Sequence, residues 1–140
     1  MSLERNSKIL AELFEQLIVN PRIDVCTEEL KGSSILDANI LRLLKKNGEL
    51  PIKKLGAALE LPPSTLGSAL KRLEKNKLIE RRINSDDLRS YLICLTEHGN
   101  DVISSTYVEQ EKIMGRLLGC LNEEEQETFL ELLQRMLKTL

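Results

Sequence analysis

Apolar residues recur at helical spacing along most of the chain. In residues 3–19 they follow one another at steps of three, four and seven, which predicts an amphipathic helix with one apolar face. The residues of that face are Leu3, Leu10, Leu13, Phe14, Leu17 and Ile18. Asn20 and Pro21 end the pattern, because proline cannot continue a helix.

Three shorter helical patterns follow the first. The second predicted helix covers residues 35–47, which we expect to be buried, and ends at Asn47-Gly48. The third covers 51–61 and the fourth 63–76, each with proline in the first turn, where its missing N–H does no harm. The fourth helix directs Leu66, Ala69, Leu70 and Leu73 inward and Ser64, Thr65, Ser68, Lys71, Arg72 and Lys75 outward.

The apolar period then changes from helical to alternating. Residues 78–83 and 90–95 alternate as strands do, and the polar segment 84–89 between them predicts a hairpin with an exposed tip. Thr96 is placed to cap a long helix that ends near residue 118. Asn122 and Glu125 predict a capping box at the start of a last helix.

Composition and charge narrow the class of protein. The 140 residues are 41% hydrophobic and 30% charged, which predicts one globular domain over residues 1–140. The net charge is −2, but the charges are unevenly distributed. Residues 42–91 hold 12 Lys and Arg and six Asp and Glu, whereas the rest of the chain holds eight Lys and Arg and 16 Asp and Glu. A basic middle is the charge that phosphate contacts require, so nucleic acid is a candidate partner.

The residues that carry chemistry in enzymes are scarce. Cys26, Cys94 and Cys120 lack the paired spacing of zinc sites or disulfide frameworks, and the only histidine, His98, has no catalytic motif beside it. We therefore expect no enzyme activity, no metal and no cofactor. Scattered thiols fit a reducing cytoplasm. Because the chain has no long apolar run, we expect it neither to insert into a membrane nor to be secreted.

The third and fourth helices form a candidate DNA-reading unit. A short helix, a tight turn and a second helix with outward hydroxyls and cations match the requirements of a major-groove reader. Ser64, Thr65 and Ser68 can bond phosphates or base edges, and Lys71 and Arg72 supply charge. Gly67 would allow close approach to DNA. The alternative is that this surface is the solvated face of an ordinary helix.

The hairpin favours the DNA-binding interpretation, because a helix-turn-helix followed by a two-stranded ribbon with Arg89 at its tip is a winged helix. The runs LeuIleGluArg at 78–81, AspLeuArg at 87–89 and LeuThrGluHisGly at 95–99 resemble the multiple antibiotic resistance regulator (MarR) family. The resemblance covers nearly the whole chain, and the Asp-x-Arg and Leu-Thr-x-x-Gly pair is its most specific part.

The resemblance implies a dimeric transcriptional regulator whose fourth helix enters a major groove of double-stranded DNA while Arg89 enters the adjacent minor groove. It also implies that Asp87 organises the wing, with Arg81 as a candidate partner. Two positions depart from the family pattern. Lys77 stands where a glycine is usual, so either Lys77 or Asn76 must form the turn, and Pro62 offers no side chain to cap the fourth helix.

Both chain ends carry more apolar side chains than one helical stripe holds. We expect residues 1–20 and 97–140 to form a helical dimerisation part and 35–95 a DNA-binding part, so the fold class is mainly α with a winged helix-turn-helix. The alternative is that the ends form the core of a monomer. The expected dimer residues are Leu10, Leu13, Phe14, Leu17, Phe129, Leu133, Met136 and Leu137.

These observations predict a homodimer that binds a pseudo-palindromic operator and represses, or less often activates, nearby genes. The resemblance further implies release by a small aromatic effector or by oxidation of a cysteine, although we expect Cys26 to be a silent thiol. The alternative function is a winged-helix module that binds another protein and has no sequence-specific affinity for DNA.

Overall fold

The computed structural model of the chain describes residues 2–23, 30 and 33–140. Over these residues the elements are, in order, α1 (Ser2–Val19), a 3-10 turn (Pro21–Ile23), α2 (Ile35–Asn47), β1 (Leu50–Pro51), α3 (Ile52–Leu59), α4 (Pro63–Lys75), β2 (Ile79–Ile83), β3 (Tyr91–Leu95), α5 (Glu97–Leu118) and α6 (Glu123–Leu137). The mainly helical fold with a small wing, predicted from the sequence, is confirmed.

The chain forms two compact units. One combines Met1–Val25 with Glu109–Leu140, and the other is Cys26–Val108, so α5 crosses the boundary. The division into a DNA-binding part over 35–95 and dimerisation parts at the ends stays a prediction. No helix in the described residues is long and apolar enough to cross a membrane.

A three-stranded antiparallel sheet with the order β1-β3-β2 forms the wing and its root. Ile79 pairs with Leu95 and Ile83 with Tyr91, which confirms the predicted hairpin. The edge strand β1 was not predicted. It has two residues, one of them a proline, so no alternation was available to reveal it.

The core of the Cys26–Val108 unit lies between α2, α3, α4, the sheet and the first turns of α5. The expected inward residues of α4 are all buried. Ile35 is an exception to the prediction that α2 is buried, because it is 81% exposed. The buried residues of α2 include Asp37, and two residues along a helix point about 200° apart, so Ile35 falls on the opposite face.

Lys77 forms the turn that joins α4 to the wing. It takes a left-handed backbone conformation with φ of 58°, whereas Asn76 has φ of −83°, which decides between the two candidate positions. The Leu78 N–H donates to the carbonyl of Leu73, and the Lys77 N–H donates to that of Glu74, the bonds of a Schellman motif.

Thr96 and Gly99 attach the start of α5 to this same turn. The Thr96 hydroxyl donates to the Lys77 carbonyl at 2.6 Å and accepts from the Gly99 N–H at 2.9 Å, which confirms the predicted cap. A Cβ on Gly99 would lie 1.9 Å from the carbonyl oxygen of Leu78. The Leu-Thr-x-x-Gly run is therefore a structural joint between α5 and the wing root.

In the Met1–Val25 and Glu109–Leu140 unit, α1 and α6 leave much of their apolar faces uncovered. Neither α1 nor α6 has a buried residue. Leu10, Leu13, Phe14, Phe129, Met136 and Leu137 are between 45% and 58% exposed, and Leu17 and Leu133 are partly exposed. This argues against the alternative that α1 and α6 form the core of a monomer.

At the start of α6, both hydrogen bonds of the predicted Asn122–Glu125 capping box are present.

Candidate nucleic-acid interface

The outer face of α4 carries the small polar residues predicted from the sequence. Ser64, Thr65, Ser68 and Lys71 are exposed, because the opposite face is filled by leucines that pack into the core. The Ser68 hydroxyl donates to the Ser64 carbonyl at 3.0 Å, so its lone pairs are left to accept. Nothing lies within 4 Å of a Cβ built on Gly67, so packing does not require a glycine there.

Arg72 differs from the prediction that it points freely outward. Its guanidinium donates to both carboxylate oxygens of Asp37, at 2.8 and 3.2 Å. Asp37 is buried in the first turn of α2, whereas the Arg72 side chain is half exposed. The hydrogen bond and the negative charge of Asp37 raise the pKa of Arg72. Asp37 could not be predicted as a partner of Arg72, because nothing in the spacing of residues 37 and 72 brings them together.

Local hydrogen bonds from Asn84 and Asp87 shape the tip of the wing. The Asp87 carboxylate accepts from the Arg89 N–H at 3.1 Å, and the Asn84 side chain accepts from the Asp86 N–H at 3.1 Å. Each is an Asx turn, in which a short polar side chain replaces a backbone acceptor. The Ser90 N–H closes the loop on the Asp87 carbonyl at 3.0 Å.

The predicted pairing of Arg81 with Asp87 is wrong. The Nε of Arg81 donates instead to Glu74 in the last turn of α4. Asp87 bonds within its own turn because its short side chain reaches the Arg89 N–H two residues away. The next arginine of β2, Arg82, binds Glu80 at 2.9 Å and lies 3.7 Å from Glu49. Its hydrogen bond with Glu80 raises the pKa of Arg82.

Arg89 is exposed at the wing tip and lines a groove of about 440 Å³ between the wing and the start of α3. Lys53, Lys54, Ser90 and Tyr91 also line it. Within the described residues, no ion pair neutralises these three cations. Lys53 and Lys54 were not among the site residues predicted from the sequence. Their position in the first turn of the first helix of the helix-turn-helix was the available signal.

The described cysteines and the histidine offer little chemistry. Cys94 is buried in β3, its thiol donates to Glu49 at 3.6 Å, and burial raises the pKa of that thiol. Cys120 is exposed after α5. Cys26 lies outside the described residues. His98 is exposed in the first turn of α5.

Comparison with known proteins identifies the relatives of this arrangement. The model of the MarR family matches residues 34–91, which include α2, the helix-turn-helix, β2 and the wing tip and end at the first residue of β3. YdgJ of Bacillus subtilis (strain 168), an uncharacterized HTH-type transcriptional regulator, is 31% identical over 127 residues, 90% of this chain and 77% of YdgJ. The chain belongs to the MarR family. The resemblance noted in the sequence is confirmed.

Two further comparisons concern the sequence and the fold. The HTH-type transcriptional repressor MdtR of the same strain is 32% identical over 97 residues, 69% of this chain and 63% of MdtR. The structure of a MarR family protein from Bacillus stearothermophilus has a TM-score of 0.82 and 21% identity, and the match covers 99% of this chain and 94% of that one. At that identity the likeness shows the fold alone. As a MarR-family member, the chain is a transcriptional regulator and not an enzyme.

Proposed function

We propose that this chain is a cytoplasmic repressor that binds a pseudo-palindromic operator in double-stranded DNA as a homodimer. The carrying observation is that two surfaces suited to DNA are both exposed in the Cys26–Val108 unit. One is the outer face of α4, with Ser64, Thr65, Ser68 and Lys71, and the other is Arg89 at the wing tip. MdtR, a relative, is named as a repressor, which supports repression over activation.

The two surfaces have different tasks in the proposed complex. The hydroxyls and Lys71 of α4 bond base edges and phosphates in the major groove, where each base pair presents a distinct pattern. The guanidinium of Arg89 enters the minor groove, whose negative potential is greatest where the groove is narrow. Lys53 and Lys54 contact the phosphate backbone near the wing. Arg72, which is bound to Asp37, holds α4 against α2 instead of reading guanine.

The exposed apolar faces of α1 and α6 support the homodimer. Both helices expose several large apolar side chains, and a second copy of the chain would cover them. A two-fold dimer presents two α4 helices to half-sites about 10 bp apart, which doubles the contacts to one duplex.

Release of DNA by a small aromatic effector is an additional proposal, tested by the loss of operator binding when phenolic compounds are added.

Selection of bound duplexes from a random library tests this proposal. We expect an enriched sequence with two inverted half-sites. Fluorescence anisotropy on that duplex should show affinity that falls steeply as salt rises, because each neutralised phosphate releases counterions. No enrichment, together with weak binding that does not depend on salt, would contradict the proposal and favour a protein-binding module.

A further inference from the structure

One ion pair bridges the turn between the recognition helix and the wing. Glu74 lies in the last turn of α4 and Arg81 is the third residue of β2, and only Asn76, Lys77 and Leu78 separate the two elements. The Nε of Arg81 donates to the Glu74 carboxylate. Their side chains are 31% and 32% exposed, so water screens this pair less than it screens a pair on the open surface.

The alternation of β2 explains why Arg81 is the residue that reaches α4. Residues two apart in a strand share a face, so Arg81 lies on the same side as Ile79, which is buried in the core beneath α4. Arg82 lies on the opposite side and binds Glu80 and Glu49, neither of which belongs to α4. Of these two arginines, only Arg81 links the wing to the recognition helix.

A second ion pair holds the same helix from the other side. Arg72, two residues before Glu74, binds the buried Asp37 of α2. The last turn of α4 is thus bound to α2 through Arg72 and to the wing through Glu74. Arg89 lies eight residues beyond Arg81, at the far end of the wing, so a small rotation at the root moves its guanidinium by a larger distance.

We propose that the Glu74–Arg81 ion pair sets the angle between the recognition helix and the wing, and so positions Arg89 over the minor groove while α4 occupies the major groove. Glu74 and Arg81 are positioning residues in this proposal, which rests on the proposed DNA-binding function. A carboxylate at position 74 repels phosphate and gains nothing from touching DNA, which agrees with a role inside the protein.

Operator binding by charge variants tests the proposal. Arg81→Gln and Glu74→Gln should each lower the preference for A·T over G·C base pairs at the wing position about threefold or more. The exchanged double variant Glu74→Arg/Arg81→Glu keeps the net charge and should restore that preference. Arg82→Gln, from the same strand, is the matched control and should leave the preference unchanged.

A double-mutant cycle separates positioning from direct effects. In an Arg89→Ala background, Arg81→Gln should no longer change the preference, because the side chain it positions is gone. An undiminished effect in that background, or an exchanged variant that fails to recover, would overturn the proposal.

The free protein provides a test that does not depend on DNA. Residual dipolar couplings of the backbone amides in β2 and β3, compared with those of α4, report the angle of the wing. We expect Arg81→Gln to change that angle or reduce its order, and the exchanged variant to recover it. Identical couplings would overturn the proposal even if the wild-type protein binds DNA. Wild-type protein that binds no duplex would instead contradict the proposed function, whatever the couplings show.

Discussion

At the scale of single residues, Lys77 and Gly99 determine how the wing root is built. Lys77 has φ of 58°, a conformation that is unfavourable for residues with a Cβ. Gly99 has the opposite role, because the absence of its side chain lets α5 approach the Leu78 carbonyl. The two backbones meet through Thr96, so the wing root combines one strained residue with one close approach.

Lys77→Gly should stabilise the protein. Glycine adopts positive φ without the steric cost that lysine has there. The energy gained exceeds the entropy cost of ordering a more flexible unfolded chain, so the free energy of unfolding should rise by about 1 kcal/mol. Urea unfolding at one fixed protein concentration measures this. Lys75→Gly, two residues earlier and inside α4, should instead lower the free energy of unfolding by about 1 kcal/mol. A loss of stability in Lys77→Gly would show that its side chain contributes more than its backbone costs.

Gly99→Ala should destabilise the protein strongly. The added Cβ would lie 1.9 Å from the Leu78 oxygen, a backbone atom that moves only if α5 and the wing root separate. We expect a loss of about 3 kcal/mol or more in the free energy of unfolding. Gly67→Ala is the matched control, since the space around Gly67 is open and alanine favours the helix by about 1 kcal/mol. Equal stability of the two variants would contradict the described joint.

At the scale of elements, α4 and the wing present different chemistry to one duplex. The exposed hydroxyl face of α4 suits close contact, whereas the wing tip extends one guanidinium from a loop held by Asx turns. Because Arg89 is exposed and has no ion-pair partner in the described part of the chain, its loss should cost the fold little.

Arg89→Ala should weaken operator binding without lowering the melting temperature. We expect a loss of roughly 10-fold in affinity, equivalent to about 1.4 kcal/mol, together with a weaker preference for A·T pairs at the wing position. Anisotropy at fixed salt measures the first effect and thermal unfolding the second. Lys8→Gln, an exposed cation of α1, removes the same charge and should leave affinity unchanged. Unaltered affinity of Arg89→Ala would remove the wing from the mechanism.

Apart from the two-residue strand β1, the helices and strands could be predicted from the sequence because each has its own local signal. Apolar periodicity, Asn47-Gly48, the Asn122–Glu125 box and the change to alternation gave the helices and the hairpin nearly to the residue. The ion pairs could not be predicted in this way. Asp37 binds Arg72, which lies 35 positions further along the chain. Arg81 binds Glu74 and not Asp87. In both cases three-dimensional packing, rather than spacing in the sequence, decides which charges meet.

At the scale of the whole molecule, the proposed dimer rests on the apolar faces of α1 and α6. Large side chains of both helices are about half exposed in the single chain. Burial of an exposed phenylalanine contributes about 2 kcal/mol, so several such residues together are enough to drive association. Substitutions in α1 and α6 are therefore expected to change the association of the chain.

Phe14→Glu should shift the protein from dimer to monomer. A charge in the middle of an apolar interface loses hydration without gaining a partner. Light scattering coupled to size exclusion should give about twice the 15.9 kDa of one chain for the wild type and a lower mass for the variant. Ile35→Glu, at an 81% exposed position outside the proposed interface, is the control and should stay dimeric. A wild-type mass of one chain would contradict the dimer.

Dimethyl sulfate protection on the selected operator tests most directly whether α4 and the wing touch one duplex. The reagent methylates guanine N7 in the major groove and adenine N3 in the minor groove, so one experiment reports both contacts. We predict protected guanines in two half-sites about one helical turn apart, flanked by protected adenines that become reactive in Arg89→Ala. Protection confined to one groove, or adenines whose reactivity is the same with and without Arg89, would contradict the claim that α4 and the wing contact one duplex.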